Sequence, residues 1–186
     1  MAEPTRPVRP AAGGLPATIA SDRLDLVLLP AAWLAAVGAG AAPPDLGFTD
    51  PHDAFADAAH VIAIRLEQVR LDPASESWLL RAVVLRETGE AIGHVGFHGP
   101  PDERGMVEIG YTVLPAFRRR GVAREAAEAM WSAAGKAGAR VLRASVSPHN
   151  EASLALVRAA GFAQVGEQED EDDGLELVWE RPVGRG

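Results

Sequence analysis

The chain has 186 residues, enough for one well-cored domain and too few for two. With 47% hydrophobic and 24% charged residues it is not a disordered chain, and a formal net charge of -8 argues against a general nucleic-acid binder, which needs clustered Lys and Arg. It contains no cysteine, which excludes disulfides, thiolate nucleophiles and Cys-based zinc sites and makes a reducing cytoplasm the expected compartment.

No apolar run approaches the roughly 20 residues of a membrane span, and the N-terminus lacks the apolar centre of a secretory signal. Residues 1–17, rich in Pro, Ala and Gly, read as a disordered tail, 18–183 as a single domain and 184–186 as a second short tail. Leu24, Leu26 and Leu28 alternate with more polar neighbours and predict a strand. Pro30 then precedes a short helical stripe of Trp33, Leu34 and Val37 that stops at Gly38. After a loop, Asp50-Pro51 has the form of an N-cap with Pro at the first position, and Phe55, Ala58, Ile62, Leu66 and Val69 recur at helical spacing.

From Trp78 the period changes. Trp78 to Arg86 and Ala91 to His98 predict a hairpin about Glu87-Thr88-Gly89-Glu90. Met106 to Val113 is a third strand, followed by a helix from Gly121 to Ala134 and an apolar strand from Val141 to Val146. Pro148-His149-Asn150 opens a helix that ends at Ala160, with Gly161 in the C′ position. Gln164–Val165 and Leu175–Trp179 form a last hairpin around an acidic loop. Antiparallel hairpins mixed with a strand-helix-strand crossover make the class α+β (mixed α/β).

The chemistry gathers between Glu108 and Ala123. A strand ends, a loop follows, and a helix begins at a glycine; the unpaired N–H groups and positive dipole end of that first turn form an anion site. Gly121 and Ala123 keep the wall low, and Arg118, Arg119 and Arg120 add cationic donors. A surface arginine cluster ahead of an ordinary helix is the competing reading, and spacing alone does not separate the two. Lys136 lacks the neighbours of a Walker motif, and Gly121 alone does not make a dinucleotide fingerprint.

Arg118-x-x-Gly121-x-Ala123 resembles the Gln/Arg-x-x-Gly-x-Gly/Ala signature of the GNAT superfamily of acetyl-CoA-dependent N-acetyltransferases. Glu108-Ile-Gly-Tyr-x-Val, Pro115, Asn150-x-x-Ser153 and Gly161-Phe162 are similar to the Rim J/L-like branch, which acetylates ribosomal-protein N-termini, and Asp22-Arg23-Leu24-x-Leu26 resembles that group's opening strand. The resemblance runs from about Thr18 to Pro182 and is weakest from Ala31 to Ser77. It implies the GNAT fold, a mostly antiparallel twisted sheet flanked by helices, in which the strands ending at Val113 and spanning Val141–Val146 splay to admit pantetheine. Backbone groups of Tyr111, Thr112 and Val113 would pair with that arm, Arg118, Arg119, Arg120, Gly121, Val122 and Ala123 would hold the pyrophosphate, and Asn150 would reach the cofactor arm. Acetyl-CoA would be the acyl donor, with no metal, and the acceptor a primary amine on a protein N-terminus or a small molecule. The expected assembly is a monomer or homodimer working without nucleic acid or membrane.

Direct acyl transfer needs a neutral amine and therefore a base. Glu108 is the candidate, because Val107, Ile109, Tyr111 and Val113 point to the opposite face of its strand and partial desolvation makes a carboxylate a stronger base; a solvated carboxylate on an exposed face is the alternative. Asn150 fits an N-cap role equally well. Many GNAT enzymes carry an acidic tyrosine seven residues after this asparagine, where this chain has Val157, so Ser153 or water becomes the proton source by default. His94 and His98 lie about 13 Å apart on a strand, too far for one metal ion. The run Glu167 to Asp173 is either a solvated loop or an acidic rim that attracts a cationic acceptor. A catalytically weak acyl-CoA-binding module of the same fold is the alternative function.

Overall fold

The computed structural model describes residues 13–170 and 174–184. Its elements in chain order are β1 (Thr18–Ala20), β2 (Leu24–Leu28), α1 (Ala31–Gly38), α2 (Ala59–Leu71), β3 (Leu80–Leu85), β4 (Glu90–Phe97), β5 (Met106–Val113), α3 (Val122–Lys136), β6 (Val141–Val146), α4 (Glu151–Ala159), β7 (Ala163–Asp170) and β8 (Gly174–Pro182). The strands form one sheet of order β1-β2-β3-β4-β5-β6-β8-β7. Every neighbouring pair is antiparallel except β5 and β6, which the crossover helix α3 makes parallel. This is the expected α+β class.

Two apolar layers cover the sheet. On one face α3 buries Val122, Ala126, Met130 and Ala134, a stripe at helical spacing, together with Leu24, Leu26, Val95, Phe97, Val107, Ile109 and Leu142 from the strands. On the other, α1 and α2 pack Trp33, Leu34 and Ile62 over Leu80, Ala82, Val84 and Ala91. Strand β3 is buried on both faces, as a strand near the centre of a two-layered sheet must be.

Three sequence expectations need correction. The helix read from Asp50 begins at Ala59 instead: Asp50 Oδ1 accepts from the Ala54 N–H at 2.8 Å and Asp53 takes φ 53°, so this stretch closes as turns and leads Phe55 back against Trp33 at 4.9 Å. Of the expected N-terminal tail, residues 1–12 lie outside the described residues, while residues 13–17 lie against the domain. Leu15 is buried with its N–H on Ser77 Oγ, and Ala17 pairs through its carbonyl with the Leu28 N–H. The last hairpin is longer than expected, because β7 continues through Glu167 to Asp170 against Gly174–Leu177. Glu171–Asp173, the rest of the acidic run, lie outside the described residues.

Candidate active site

Strand β5 pairs with β6 only at Met106, Val107 and Glu108. Beyond Glu108 the two strands part, while β5 stays on β4 from Ile109 to Val113. The sheet therefore opens into a cleft of about 870 Å³, with Tyr111, Thr112 and Val113 on one wall and Asn150, Ser153 and Leu156 on the other. A strand edge left without a partner still carries outward N–H and C=O groups, which suits an extended ligand arm lying along it.

The first turn of α3 closes one end of the cleft. Arg119 and Gly121 both take left-handed backbone angles, φ 61° and 77°, and swing the chain so that the helix starts facing the cavity. Val122, Ala123 and Arg124 line it there, and the first-turn N–H groups have no carbonyl partners within their own helix. Of the arginines singled out in the sequence, Arg118 and Arg119 line the cleft, but Arg118 Nε is held by the Val113 carbonyl at 2.8 Å and so ties the loop to β5. Arg120 does not line the cleft; its guanidinium lies 5.6 Å from the ring of Phe117, which does. Arg124 lines it instead, with its Nε on Glu128 Oε1 at 2.8 Å. The signal was present, since Arg124 follows Gly121 by one helical turn.

Helix α4 faces the same cleft. Asn150 Oδ1 accepts from the Ser153 N–H at 3.1 Å, the N-cap bond, and both residues line the cavity. Val157 is buried in the core. The phenol of Tyr111, the chain's single tyrosine, donates to Ser153 Oγ at 3.0 Å. Burial pushes that phenol up, partly countered by the bond to Ser153. Sequence reading used only the backbone of Tyr111 and missed the side chain, although alternation along β5 places it on the α4 side.

The opposite face of the same strands carries a second cavity of about 460 Å³. The cross-strand pairs His94–Thr112 and Gly96–Gly110 set its floor, and Asp53, Asp57 and Arg65 come in from the α2 side. Burial holds His94 neutral, its imidazole lowered to about 4, and its ring stacks 6.4 Å from Phe55. Arg65 Nη1 donates to Gln68 Oε1 and Gln68 Nε2 to the His98 carbonyl, both at 2.8 Å, which fastens α2 over the end of β4. His98 stays partly exposed; lost hydration lowers its imidazole, Glu108 is the next largest influence and pulls upward, Arg65 pushes down, and Asp170 of β7 adds a smaller upward pull. Glu108 lines neither cavity; it stands two residues along β5 from Gly110, which lines this one, and accepts from Ser145 Oγ at 2.5 Å. Ser145 in turn accepts from Gln168 Nε2 at 3.2 Å, so the carboxylate is steadied by side chains from β6 and β7. Arg65, His94 and His98 were not read as site residues, because elements far apart in sequence bring them together. Tyr111 and Thr112 line both cavities, which therefore meet at that one stretch of β5.

Residues 42–163 match the family model described as an acetyltransferase (GNAT) domain. The chain belongs to the GNAT acetyltransferase family. Among individual proteins, it is similar to two Bacillus subtilis N-acetyltransferases, YjdG (42% identical over 53 residues, 28% of this chain and 30% of that protein) and YoaA (37% over 82 residues, 44% and 46%). Those matches span less than half the length of either relative. GNAT structures share the whole fold at low identity. The ribosomal-protein alanine acetyltransferase of Vibrio fischeri superposes with TM-score 0.62 at 15% identity over 89% of this chain and 96% of that one. The microcin self-immunity acetyltransferase MccE, solved with acetyl-CoA and AMP, gives 0.61 at 13% over 88% and 94%.

Proposed function

We propose that this GNAT protein is a cytoplasmic N-acetyltransferase that moves the acetyl group of acetyl-CoA directly to a primary amine. The acyl donor would lie in the cleft between β5 and β6, and the amine in the cavity on the opposite face. One observation carries the reading: the two cavities, on opposite faces of the sheet, have Tyr111 and Thr112 in common. A donor and an acceptor seated in them would meet at that stretch of β5, which is the geometry direct transfer needs.

The residues present fit acetyl-CoA. The glycine-started first turn of α3, with Arg119 and Arg124 beside it, is a donor set for a pyrophosphate, and the open edge of β5 offers backbone partners to the pantetheine amides. A backbone N–H of Tyr111–Val113 would face the thioester oxygen, where negative charge builds. Glu108 serves as the base, directly or through a water, held by Ser145 on the face where the amine arrives. Ser153, across the cleft from β5, serves the leaving sulfur.

For the acceptor, the similarity to a ribosomal-protein acetyltransferase makes a protein N-terminus the first choice. An α-amine loses its proton near pH ~8, against ~10.4 for lysine, and asks less of the base. Small-molecule amines come second.

Calorimetric titration of acetyl-CoA tests the donor site. Micromolar binding that disappears in Gly121→Glu, whose side chain would fill the cradle, supports it; no binding to the wild-type protein would sink it. Peptides beginning with Ala, Ser or Met, and spermidine, would then be screened as acceptors. Glu108→Gln should lower kcat about 100-fold or more. Tight acetyl-CoA binding without turnover of any acceptor would favour a catalytically weak acyl-CoA-binding module instead.

A further inference from the structure

Resting on that reading, we infer that Arg65 is the specificity residue of the acceptor cavity and takes a carboxylate that the acceptor carries a short way from its reacting amine. Helix α2 turns Ile62 and Val69 into the core, which brings Val61 and Arg65, one helical turn apart, onto the cavity wall. Arg65 commits Nη1 to Gln68 Oε1 at 2.8 Å, and Gln68 Nε2 donates in turn to the His98 carbonyl at 2.8 Å. The guanidinium fork is thus held from one side. Its Nε and Nη2 find no acceptor among the described residues, and no carboxylate there forms an ion pair with it. Arg65 is also the one Arg or Lys side chain, among the described residues, that lines this cavity.

The charges of the cavity are sorted along β5. Arg65 is tied through Gln68 to His98, whose ring leans over Gly110, its Nε2 lying 3.1 Å from where a Cβ at Gly110 would stand. Asp53 and Asp57 flank Phe55 in the chain, and the Phe55 ring stacks 6.4 Å from His94, the cross-strand partner of Thr112. Gly110 and Thr112 are two residues apart, about 7 Å along the strand. A cavity with carboxylates toward Thr112 and a guanidinium toward Gly110 fits a zwitterion lying along β5. Its ammonium end arrives beside the stretch proposed for transfer, and its carboxylate reaches Arg65.

Groups so spaced describe a peptide whose second residue is Asp or Glu, or a dipeptide with its own free C-terminus. A free α-amino acid is too short, since its amine and carboxylate share one carbon. Lost hydration lowers the half-buried Arg65 guanidinium, and Glu108 only partly counters it. Such a cation gains more from a two-pronged carboxylate contact than a fully solvated one does. An acceptor without the acid leaves the fork unanswered, and one with a lysine in its place brings a like charge against it; both are selected against.

The test reads binding before turnover. Ala-Glu-Ala-Ala and Ala-Gln-Ala-Ala, both amidated at the C-terminus, and the dipeptide Ala-Ala as free acid and as amide, are titrated calorimetrically into the full chain, alone and with CoA. The wild type should bind the acid of at least one pair about 20-fold more tightly than its neutral twin. Preference within the tetrapeptides assigns the carboxylate to a second side chain, and preference within the dipeptides to a free terminus. Arg65→Gln should bring each pair within about twofold, Arg65→Lys should keep part of the preference, and Arg65→Glu should turn it toward Ala-Lys-Ala-Ala amide. An arginine that only fastened α2 to β4 would weaken every peptide alike when replaced. Acetyl-CoA binding, in the cleft on the other face, reports that each variant is folded. No peptide binding, equal binding within both pairs by the wild type, or a preference that survives Arg65→Gln overturns the assignment. Bound peptides that acetyl-CoA never acetylates would instead overturn the transfer reading and leave Arg65 as the carboxylate-binding residue.

Discussion

Arg23, in the turn before β2, grips Glu125 in the first turn of α3 twice, through its backbone N–H and its Nε, each at 2.7 Å. Its Nη2 also reaches the Arg120 carbonyl at 3.1 Å, and Ser21 Oγ donates to the same Glu125 carboxylate at 2.7 Å. The opening hairpin of the chain is thereby clasped to the loop that turns into the proposed pyrophosphate cradle, more than a hundred residues later in sequence.

This clasp predicts a coupled effect on binding and acid stability. Burial pushes the Glu125 carboxyl up, but the bonds from the Arg23 N–H, Ser21 and the Arg23 guanidinium outweigh it and hold the group below its ordinary 4.5. An acid held low in the fold contributes stability in full above about 4.5 and loses it as the pH falls further. Glu125→Gln should therefore lower Tm at pH 7, lessen the loss of Tm below pH 4.5, and weaken acetyl-CoA about fivefold, or ~1 kcal/mol. Melting curves from pH 7 to 3 and one binding titration check all three.

His94 gives a pH dependence in a different window. Its ring is lowered to about 4 by burial, against an ordinary 6.5, so the unfolded chain takes up a proton first. Stability should fall as pH drops from 6.5 toward 4, and this contribution should level off below that. His94→Gln should flatten that part of the Tm profile while leaving the slope below pH 4 in place.

Arg81 has no exposed surface and faces no carboxylate among its bonds; its guanidinium donates instead to the carbonyls of Ala17, Leu26 and Ser77. Burial lowers it to about 10 without removing its charge at neutral pH. Arg81→Met removes all three bonds from the buried guanidinium and should cost about 3 kcal/mol in urea unfolding. Arg81→Lys should recover less than half, since an ammonium on a single nitrogen lacks the fork that reaches separated acceptors.

Gly93 allows no side chain. A Cβ there would lie 2.2 Å from the Thr112 carbonyl oxygen, and that oxygen belongs to the strand shared by both cavities. Gly93→Ala should destabilise the fold by about 3 kcal/mol or prevent it from forming. Any folded fraction should bind acetyl-CoA more weakly than wild type, measured on the refolded monomeric peak.

Much of the fold could be read from local pattern. Met106–Val113 and Val141–Val146 stand where alternation and β-branching put them, and Gly161 takes φ 78° just past α4 as a C′ residue does. The proposed donor cleft was legible for the same reason: one wall and its end come from a single strand-loop-helix unit, Tyr111 to Arg124, and the other wall from the start of α4. The proposed acceptor side was not, because Asp53, Arg65, His94 and His98 converge only through tertiary packing. Phe55 shows how local pattern misleads. It falls at helical spacing with Ile62, yet its contact with Trp33, far back in the chain, and the left-handed Asp53 keep it in a turn. Strand β7 was half missed because acidic residues with little apolar alternation pair only by virtue of β8 alongside.

The placement of the two cavities on opposite faces of one sheet has a kinetic consequence. With the ligands seated as proposed, neither stands in the other's doorway, so acetyl-CoA and amine should enter in either order, and acetylated product should depart while CoA is still seated. Initial-rate lines should intersect instead of running parallel, and each product should inhibit competitively against the substrate that uses the same entrance. An inhibitor joining both halves in one molecule would have to thread the gap beside Tyr111, so its linker, more than either end, would set its potency.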